Sequence, residues 1–200
     1  RGKAFPGSEK LSVYFDFERD FLDAEIDNEI AQLVNMFVQV KSTKDPSWER
    51  GAQTLLHGII LAMLHDARTP ESGFTREMMT IKTIKDYYYA IKKPCLNDKN
   101  ARIDDIYCLE DKPETVKQVL SNVVETAPVT RQGFFSTFES AISEWFQAHV
   151  FALTTNNTIT YEQLNDDQPF AIFVVTRDYE KSDFRVAGLF IDWVYSQMIK

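Results

Sequence analysis

The amino-acid sequence predicts a mainly α-helical protein, a multi-helix bundle with one or two short β-strands. Apolar residues recur at helical spacing in several separate segments of the 200 residues. One of these segments, residues 45–66, is apolar around most of its girth, so other helices must surround it. Runs rich in β-favouring residues are confined to residues 11–17 and 170–175.

Composition and charge narrow the function classes. Hydrophobic residues make up 44% of the chain and charged residues 26%, which is typical of a globular domain. The net charge of −8 disfavours a general nucleic-acid clamp, because phosphates are repelled at long range. Cys95 and Cys108 are too few for a disulfide scaffold or a zinc site, and they fit a reducing, cytosolic compartment.

The first part of the chain is predicted to be a leading segment, residues 1–22, with a short strand at 11–17. Between residues 16 and 29, seven acidic residues face one basic residue, a balance of −6. A helix is predicted over residues 23–40, and its acidic start suits the positive end of a helix dipole. Its apolar residues lie on one stripe: Ile26, Ile30, Leu33, Val34, Phe37 and Val40.

Residues 45–66 are the predicted central helix. Asp45 offers a carboxylate to the free N–H groups of the helix start, and Pro46 suits the first helical position. Gly51 and Gly58 are two turns apart, so a partner backbone is expected to come close on that side. The residues expected to pack inward are Trp48, Ala52, Leu55, Leu56, Ile59, Ile60 and Met63.

The next segment is predicted to hold two helices and a turn. Thr75 is expected to cap a short helix that ends at Thr80. A second helix is predicted over residues 81–92, and Pro94 is expected to stop it. Its inward residues are Ile84, Tyr87, Tyr88 and Ile91. Residues 104–109 are predicted to form a single helical turn.

Two more helices follow. The first starts at Pro113 and ends before Pro128, with an apolar side of Val116, Val119, Leu120, Val123 and Val124. The second is the longest amphipathic run, residues 130–153, and a break follows at 154–158. Its stripe, predicted to be core, is Phe134, Phe135, Phe138, Ile142, Trp145, Phe146, His149 and Val150.

The last part of the chain is predicted to be a strand followed by a helix. Residues 170–175, FAIFVV, are the best strand in the sequence, and Ser182 with Asp183 is expected to cap the final helix. A strand and a helix in this order are half of an α/β unit. We therefore expect a fragment of a larger protein, divided at residues 1–22, 23–165 and 166–200.

Known catalytic and metal-binding patterns are missing from the sequence. The seven glycines never form a phosphate loop. His57, His65 and His149 have no carboxylate or cysteine at ligand spacing, so we predict no metal site and buried or boundary histidines. No serine, histidine and acid arrangement stands out. An enzyme of unknown class is therefore the least favoured reading, and no catalytic residue is predicted.

Two charged surfaces are candidate binding sites. The acidic start, with Asp20, Asp23, Glu25 and Asp27, is a candidate face for a basic protein partner. Between residues 76 and 102, seven basic residues face three acidic ones, a balance of +4. Cations hold phosphates while exposed tyrosines stack on single-stranded bases, and the candidate DNA-binding residues are Lys82, Lys85, Tyr88, Lys92 and Lys93. The alternative for each surface is a solvated helix face.

Three motifs carry a resemblance to a known family. They are residues 45–64, which begin DPSWERGA, then residues 130–146, TRQGFFSTFESAISEWF, and residues 168–175, QPFAIFVV. In this order and spacing they resemble the TraG family, the coupling-protein ATPases of conjugative type IV secretion, especially from Gram-positive hosts. The resemblance covers most of residues 23–200.

The resemblance implies a parent protein that is membrane-anchored and hexameric, with ATP and Mg²⁺ bound in a motor core. That parent passes a relaxase-bound plasmid DNA strand to the secretion channel. The present chain resembles the all-α domain inserted into this core, on the cytoplasmic side of the inner or plasma membrane. The nucleotide-binding motifs fall outside the chain, so no cofactor and no ATP hydrolysis are expected in it.

The leading hypothesis is thus a substrate-recognition domain for a relaxase, a relaxosome accessory protein or single-stranded DNA. The alternative is a structural lid or oligomer spacer of the motor with no partner of its own. The chain by itself is expected to be a monomer or a weak dimer, because unpaired strand edges favour association.

Overall fold

The computed structural model describes residues 24–41, 45–155, 171–178 and 181–199, and these ranges are mainly helical, as the sequence predicts. Within these ranges, four single-turn 3₁₀ helices lie in the connections, two of them within residues 103–109; a helical turn is predicted at 104–109. The α-helices are α1 (Ala24–Phe37), α2 (Ser47–Arg68), α3 (Ile81–Asn97), α4 (Glu114–Val124), α5 (Pro128–Ile142), α6 (Ala148–Thr155) and α7 (Lys181–Ile199).

The central helix is α2, and it packs against α1, α3, α4 and α5. Twelve of its 22 residues are buried, so the helix is surrounded, as its sequence predicts. Asp45 Oδ1 accepts hydrogen bonds from the Ser47 backbone N–H at 3.1 Å and from its hydroxyl at 2.5 Å. Pro46 stands one residue before the helix, and its carbonyl accepts the first helical bond from Arg50 at 2.9 Å.

The two glycines of α2 admit side chains from neighbouring helices, where the sequence suggested a partner backbone. A Cβ at Gly51 would overlap the Phe134 ring of α5, and one at Gly58 would overlap Leu120 of α4. Trp48 covers Gly133 of α5 in the same way but remains 40% exposed. The packing of α2 against α4 and α5 therefore depends on the absence of a methyl group at Gly58 and Gly51.

The first helix ends earlier than predicted. Helix α1 stops at Phe37, and the Val38 N–H still bonds to the Val34 carbonyl at 2.8 Å. Val38 is buried in consequence. Val40, which a longer helix would have put on the apolar stripe, is 44% exposed.

Pro94 does not stop α3, which runs on to Asn97. A proline inside a helix removes one backbone donor, so this end needs other support. The guanidinium of Arg131, which is 3% exposed, donates to the carbonyls of Cys95, Asp98 and Lys99 at 3.3, 3.3 and 2.9 Å. A cation is favourable at the negative end of a helix, and Arg131 thereby stabilises the last turn.

The amphipathic run over residues 130–153 is divided between two helices, α5 and α6. The backbone still forms a turn at the break, residues 143–147, because the N–H groups of Trp145 and Phe146 both donate to the Ile142 carbonyl. Trp145 is therefore still buried, with its ring centroid 4.5 Å from that of Phe37. The sequence does not predict this break, because the apolar residues keep their helical spacing across it.

The predicted strand at 170–175 is wrong over its described residues, 171–175, which have no regular secondary structure. Phe173 and Val175 are 87% and 92% exposed. A β-favouring run forms a strand only when a second strand pairs with it, and none does so within the described ranges. The predicted strand at 11–17 lies outside the described residues.

The predicted cap of the last helix is also wrong, because α7 begins at Lys181 and includes both Ser182 and Asp183. The Asp183 carboxylate instead accepts two hydrogen bonds from the Arg177 guanidinium, at 2.7 and 2.9 Å. The Arg177 hydrogen bonds lower the pKa of Asp183 to about 2. The first turn of α7 is thus held from the segment before it.

Candidate functional site

The exposed side of α3 carries cations and apolar groups together. Lys82, Tyr89, Lys93 and Leu96 follow one another at spacings of seven, four and three residues, so they share one stripe of the helix. All four are exposed, Tyr89 by 48% and Leu96 by 63%. We call this stripe the α3 face; the exposed Asp86, four residues after Lys82 and three before Tyr89, lies on the same stripe. Eleven residues of helix place its two lysines about 16 Å apart along the axis.

Two other predicted DNA-binding lysines lie at the border of this face and are already engaged. Lys92 Nζ lies 2.5 Å from Glu139 Oε1 of α5, and its side chain is only 17% exposed. Lys85 Nζ lies 5.9 and 5.5 Å from the ring centroids of Phe146 and Phe151. Such cation–π contacts hold a half-buried ammonium in place, so both lysines are less available to a ligand than Lys82 and Lys93.

Tyr88, the tyrosine predicted to stack on bases, belongs to the core. It is fully buried, with ring centroids 4.6 Å from Phe138 and 6.0 Å from Phe135. Burial raises the pKa of its hydroxyl. Its position four residues after Ile84 and three before Ile91 is a core signal in the sequence. The neighbouring Tyr89 is the exposed tyrosine of the triplet 87–89.

The predicted acidic face is described only in part. Asp20 and Asp23 lie outside the described residues, and Glu25 lies in the first turns of α1. Asp27 is exposed, and its carboxylate is 3.9 Å from His57 Nε2 of α2. Burial lowers the pKa of His57, and the charge of Asp27 partly offsets that shift.

A buried polar cluster joins three parts of the fold that the sequence did not connect. Asp66 Oδ1 at the end of α2 lies 2.8 Å from Lys112 Nζ, and both side chains are about one-tenth exposed. The Tyr87 hydroxyl of α3 donates to the other carboxylate oxygen of Asp66. Burial raises the pKa of the nearby Cys108 thiol to about 11. The cluster is a structural ion pair, because each charge has a buried partner.

The structure also brings a serine, a histidine and an acid together, an arrangement that the sequence alone does not reveal. His149 Nε2 lies 2.8 Å from Ser182 Oγ and 3.7 Å from Asp183 Oδ1. In a catalytic triad the hydroxyl and the carboxylate contact opposite ring nitrogens, whereas here both approach the same nitrogen. The arrangement therefore holds α7 against α6 and differs from a nucleophile relay.

Two observations hold within the described ranges, residues 24–41, 45–155, 171–178 and 181–199. No group of three or more histidine, cysteine or acidic side chains there is arranged to hold a metal ion. None of the helices in the same ranges is both long and apolar enough to cross a bilayer.

Comparison with known proteins places the chain in a family. No curated protein and no solved structure matches it. The family model described as type IV secretory system conjugative DNA transfer matches residues 16–197, which is nearly the whole chain. The matched range contains all three sequence motifs. The chain belongs to the type IV secretory system conjugative DNA transfer family.

Proposed function

We propose that this chain is the all-α substrate-recognition domain of a type IV coupling protein. It recruits the relaxase or an accessory relaxosome protein, together with the DNA strand, to the secretion channel. The observation that carries the proposal is the α3 face, where exposed lysines and apolar groups stand on a rigid helix. Nucleotide binding and hydrolysis then belong to other parts of a membrane-anchored, hexameric parent.

The chemistry of the α3 face suits a flexible, negatively charged partner. Lys82 and Lys93 supply two charges separated by about 16 Å, and Tyr89 between them supplies a ring for stacking. Stacking on an exposed aromatic group contributes about 1–3 kcal/mol per base in single-strand binding. Because the α3 face presents two exposed lysines and the chain has a net charge of −8, we expect weak DNA binding that weakens further as the salt concentration rises.

A salt-titrated binding assay with single-stranded DNA tests this role. The double variant Lys82→Glu/Lys93→Glu should lose binding at low salt, and Tyr89→Ala should weaken it without changing the salt slope. The matched control is Lys41→Glu/Lys181→Glu, which makes the same change in net charge at exposed lysines outside α3. If both double variants lose binding equally, the effect is one of net charge and the α3 face is not the site.

A pulldown with the relaxase and accessory proteins tests the protein partner. The acidic start is the competing surface, and Asp27→Lys is its most direct described probe because Asp27 is exposed. Complementary charge mainly sets association rate and specificity. If the partner is still captured after changes on the α3 face but is no longer captured by Asp27→Lys, the acidic start is the surface that recruits the protein.

The alternative is a structural spacer of the motor with no partner of its own. The exposed apolar side chains in the segment 171–175 and in α7 favour the spacer, because an exposed apolar patch fits against another protein surface. Exchange of this domain between two coupling proteins separates the proposals. A recognition domain transfers substrate preference to the recipient, and a spacer does not.

A further inference from the structure

The α3 face, taken together with Asp86, follows the spacing of a helix-pairing seam. Its members are exposed and are separated by four, three, four and three residues: Lys82, Asp86, Tyr89, Lys93 and Leu96. Alternating steps of three and four residues keep side chains on one line, and a second helix can pack along that line. The line extends for about 21 Å along the helix axis. The α3 face therefore has the length and the direction of a docking site for one α-helix.

The opposite side of α3 is fixed to the bundle. Ile84, Tyr88 and Ile91 are completely buried, and Arg131 donates to the carbonyls at the end of the helix. The exposed stripe is thus already ordered before a partner arrives. Because ordering an interface costs free energy on binding, a rigid stripe lowers that cost on this side of the complex.

The charges of the stripe favour a protein helix over a DNA strand. Asp86 lies about 6 Å from Lys82 and about 10 Å from Lys93 along the axis. A phosphate backbone carries only negative charge, so the two lysines attract it while Asp86 repels it. A helix can place acidic residues opposite the lysines and a basic residue opposite Asp86, which makes all three charges complementary. This mixed charge order is the observation that selects the occupant.

Two apolar side chains supply the rest of the contact. Tyr89 and Leu96 are 48% and 63% exposed, and they are seven residues apart, which is two helical turns. Ala90 is exposed next to Tyr89, and its small side chain allows a partner helix to come close. An amphipathic helix presents apolar anchors at the same spacing.

We propose that the α3 face docks a single α-helix of the recruited protein. That helix has acidic residues opposite Lys82 and Lys93, a basic residue opposite Asp86, and apolar residues opposite Tyr89 and Leu96. A segment that is flexible when free and helical when bound fits this description. The assignment rests on the proposed function, which makes this face the recruiting surface, and it adds the structure and charge order of the partner. Since DNA uses the same two lysines, a docked helix displaces a bound strand.

A designed peptide tests the docking site on the whole chain. The probe has about 21 residues of high helix propensity and carries glutamate, lysine, leucine, glutamate and leucine at steps of four, three, four and three. A second probe has the reversed order, for antiparallel docking, and a control peptide has the same composition in scrambled order.

Amide NMR shifts followed up to about 1 mM peptide should change over residues 81–97. One ordered probe should bind about tenfold more tightly than the scrambled peptide, because only it aligns all three charge pairs. Shifts that are equal for the scrambled peptide, or no shift on α3, would overturn the docking site. So would shifts on α3 that grow with protein concentration without any probe, because the occupant is then a second copy of the chain.

The variant Asp86→Lys separates a helix from a DNA strand. It should weaken probe binding about three- to fivefold and strengthen binding of an oligo-dT strand, because a repulsive charge becomes attractive. A probe with glutamate in place of its lysine should recover the lost binding. Asp111→Lys, the same charge change at an exposed residue outside α3, is the control and should not weaken the probe. If Asp86→Lys strengthens both ligands, the face is a general anion site and the docking site is wrong.

The docking site and the proposed function fail in different ways. Equal capture of a relaxosome protein by the wild type and by Asp86→Lys overturns the docking site and leaves the proposed function in place. Probe docking by a chain that captures neither a relaxosome protein nor DNA overturns the proposed function and leaves α3 as a surface for a helix.

Discussion

The bundle of α1–α6 and the C-terminal helix α7 use the same kinds of residue with opposite results. Both have apolar residues at helical spacing. In α2, Leu55, Leu56 and Ile59 are completely buried, whereas in α7 Phe184 and Ile191 are about half exposed. Four neighbouring helices surround α2, while α7 touches mainly α6. An apolar stripe therefore shows that a helix can be buried, and its neighbours decide whether it is.

The largest difference is expected from the same substitution made in both regions. Ile59→Ala leaves a cavity in the core and should lower the free energy of unfolding by about 2–5 kcal/mol. Ile191→Ala removes a side chain that is 56% exposed and should change it by no more than about 0.5 kcal/mol. Urea unfolding followed by circular dichroism measures both. Equal losses would mean that α7 is part of the core.

Two arginines give the next comparison. Arg131→Met removes the guanidinium that bonds to the carbonyls at the end of α3, and buried acceptors are left unpaired. We expect a loss of about 2–4 kcal/mol in the free energy of unfolding. Arg185→Met breaks a partly exposed ion pair and should cost about 1 kcal/mol or less. A small effect of Arg131→Met would show that Pro94 is tolerated in α3 without the arginine.

Two glycines are expected to respond with opposite signs. Gly51→Ala places a methyl group on the Phe134 ring and should destabilise the protein by about 1–3 kcal/mol. Gly188→Ala in α7 meets nothing within 4 Å and should be neutral or stabilise by up to about 1 kcal/mol through helix propensity. Thermal unfolding of the two variants decides the sign. A destabilising Gly188→Ala would reveal a neighbour covering that side of α7.

The smallest expected effect is a pH dependence of the free energy of unfolding, which originates at His57 on the border of the bundle. Burial lowers the folded-state pKa of His57, so the unfolded chain binds this proton more readily. Stability should therefore fall as the pH drops below about 6.5, the ordinary histidine value. Asp27→Asn removes the charge that offsets the shift and should deepen the fall, while His57→Asn should reduce it. Unfolding curves between pH 5 and 8 measure the effect.

Some of the site was readable from sequence and some was not. Tyr88 and Tyr89 are adjacent, and the spacing of Tyr88 from Ile84 and Ile91 already assigns it to the core. The pairing of Lys92 with Glu139 was not readable, because 47 residues separate the two. Removing Lys85, Tyr88 and Lys92 from the candidate site and adding Tyr89 leaves Lys82, Tyr89 and Lys93 as its exposed centre. Long-range pairing decides which lysines of a basic segment remain free.

The sequence by itself determined the family, the mainly helical class and the buried central helix. The family followed from the resemblance of three motifs, and the helical class and the central helix follow from local periodicity, which acts within a few turns of chain. Only the tertiary structure decided that α3 continues past Pro94, that residues 171–175 form no strand and that α7 is half exposed. Each depends on a partner distant in sequence: Arg131 for α3, a pairing strand for residues 171–175 and surrounding helices for α7. A short stretch of sequence shows which side chains could be buried or hydrogen-bonded. Whether they are depends on partners that the rest of the fold brings to them.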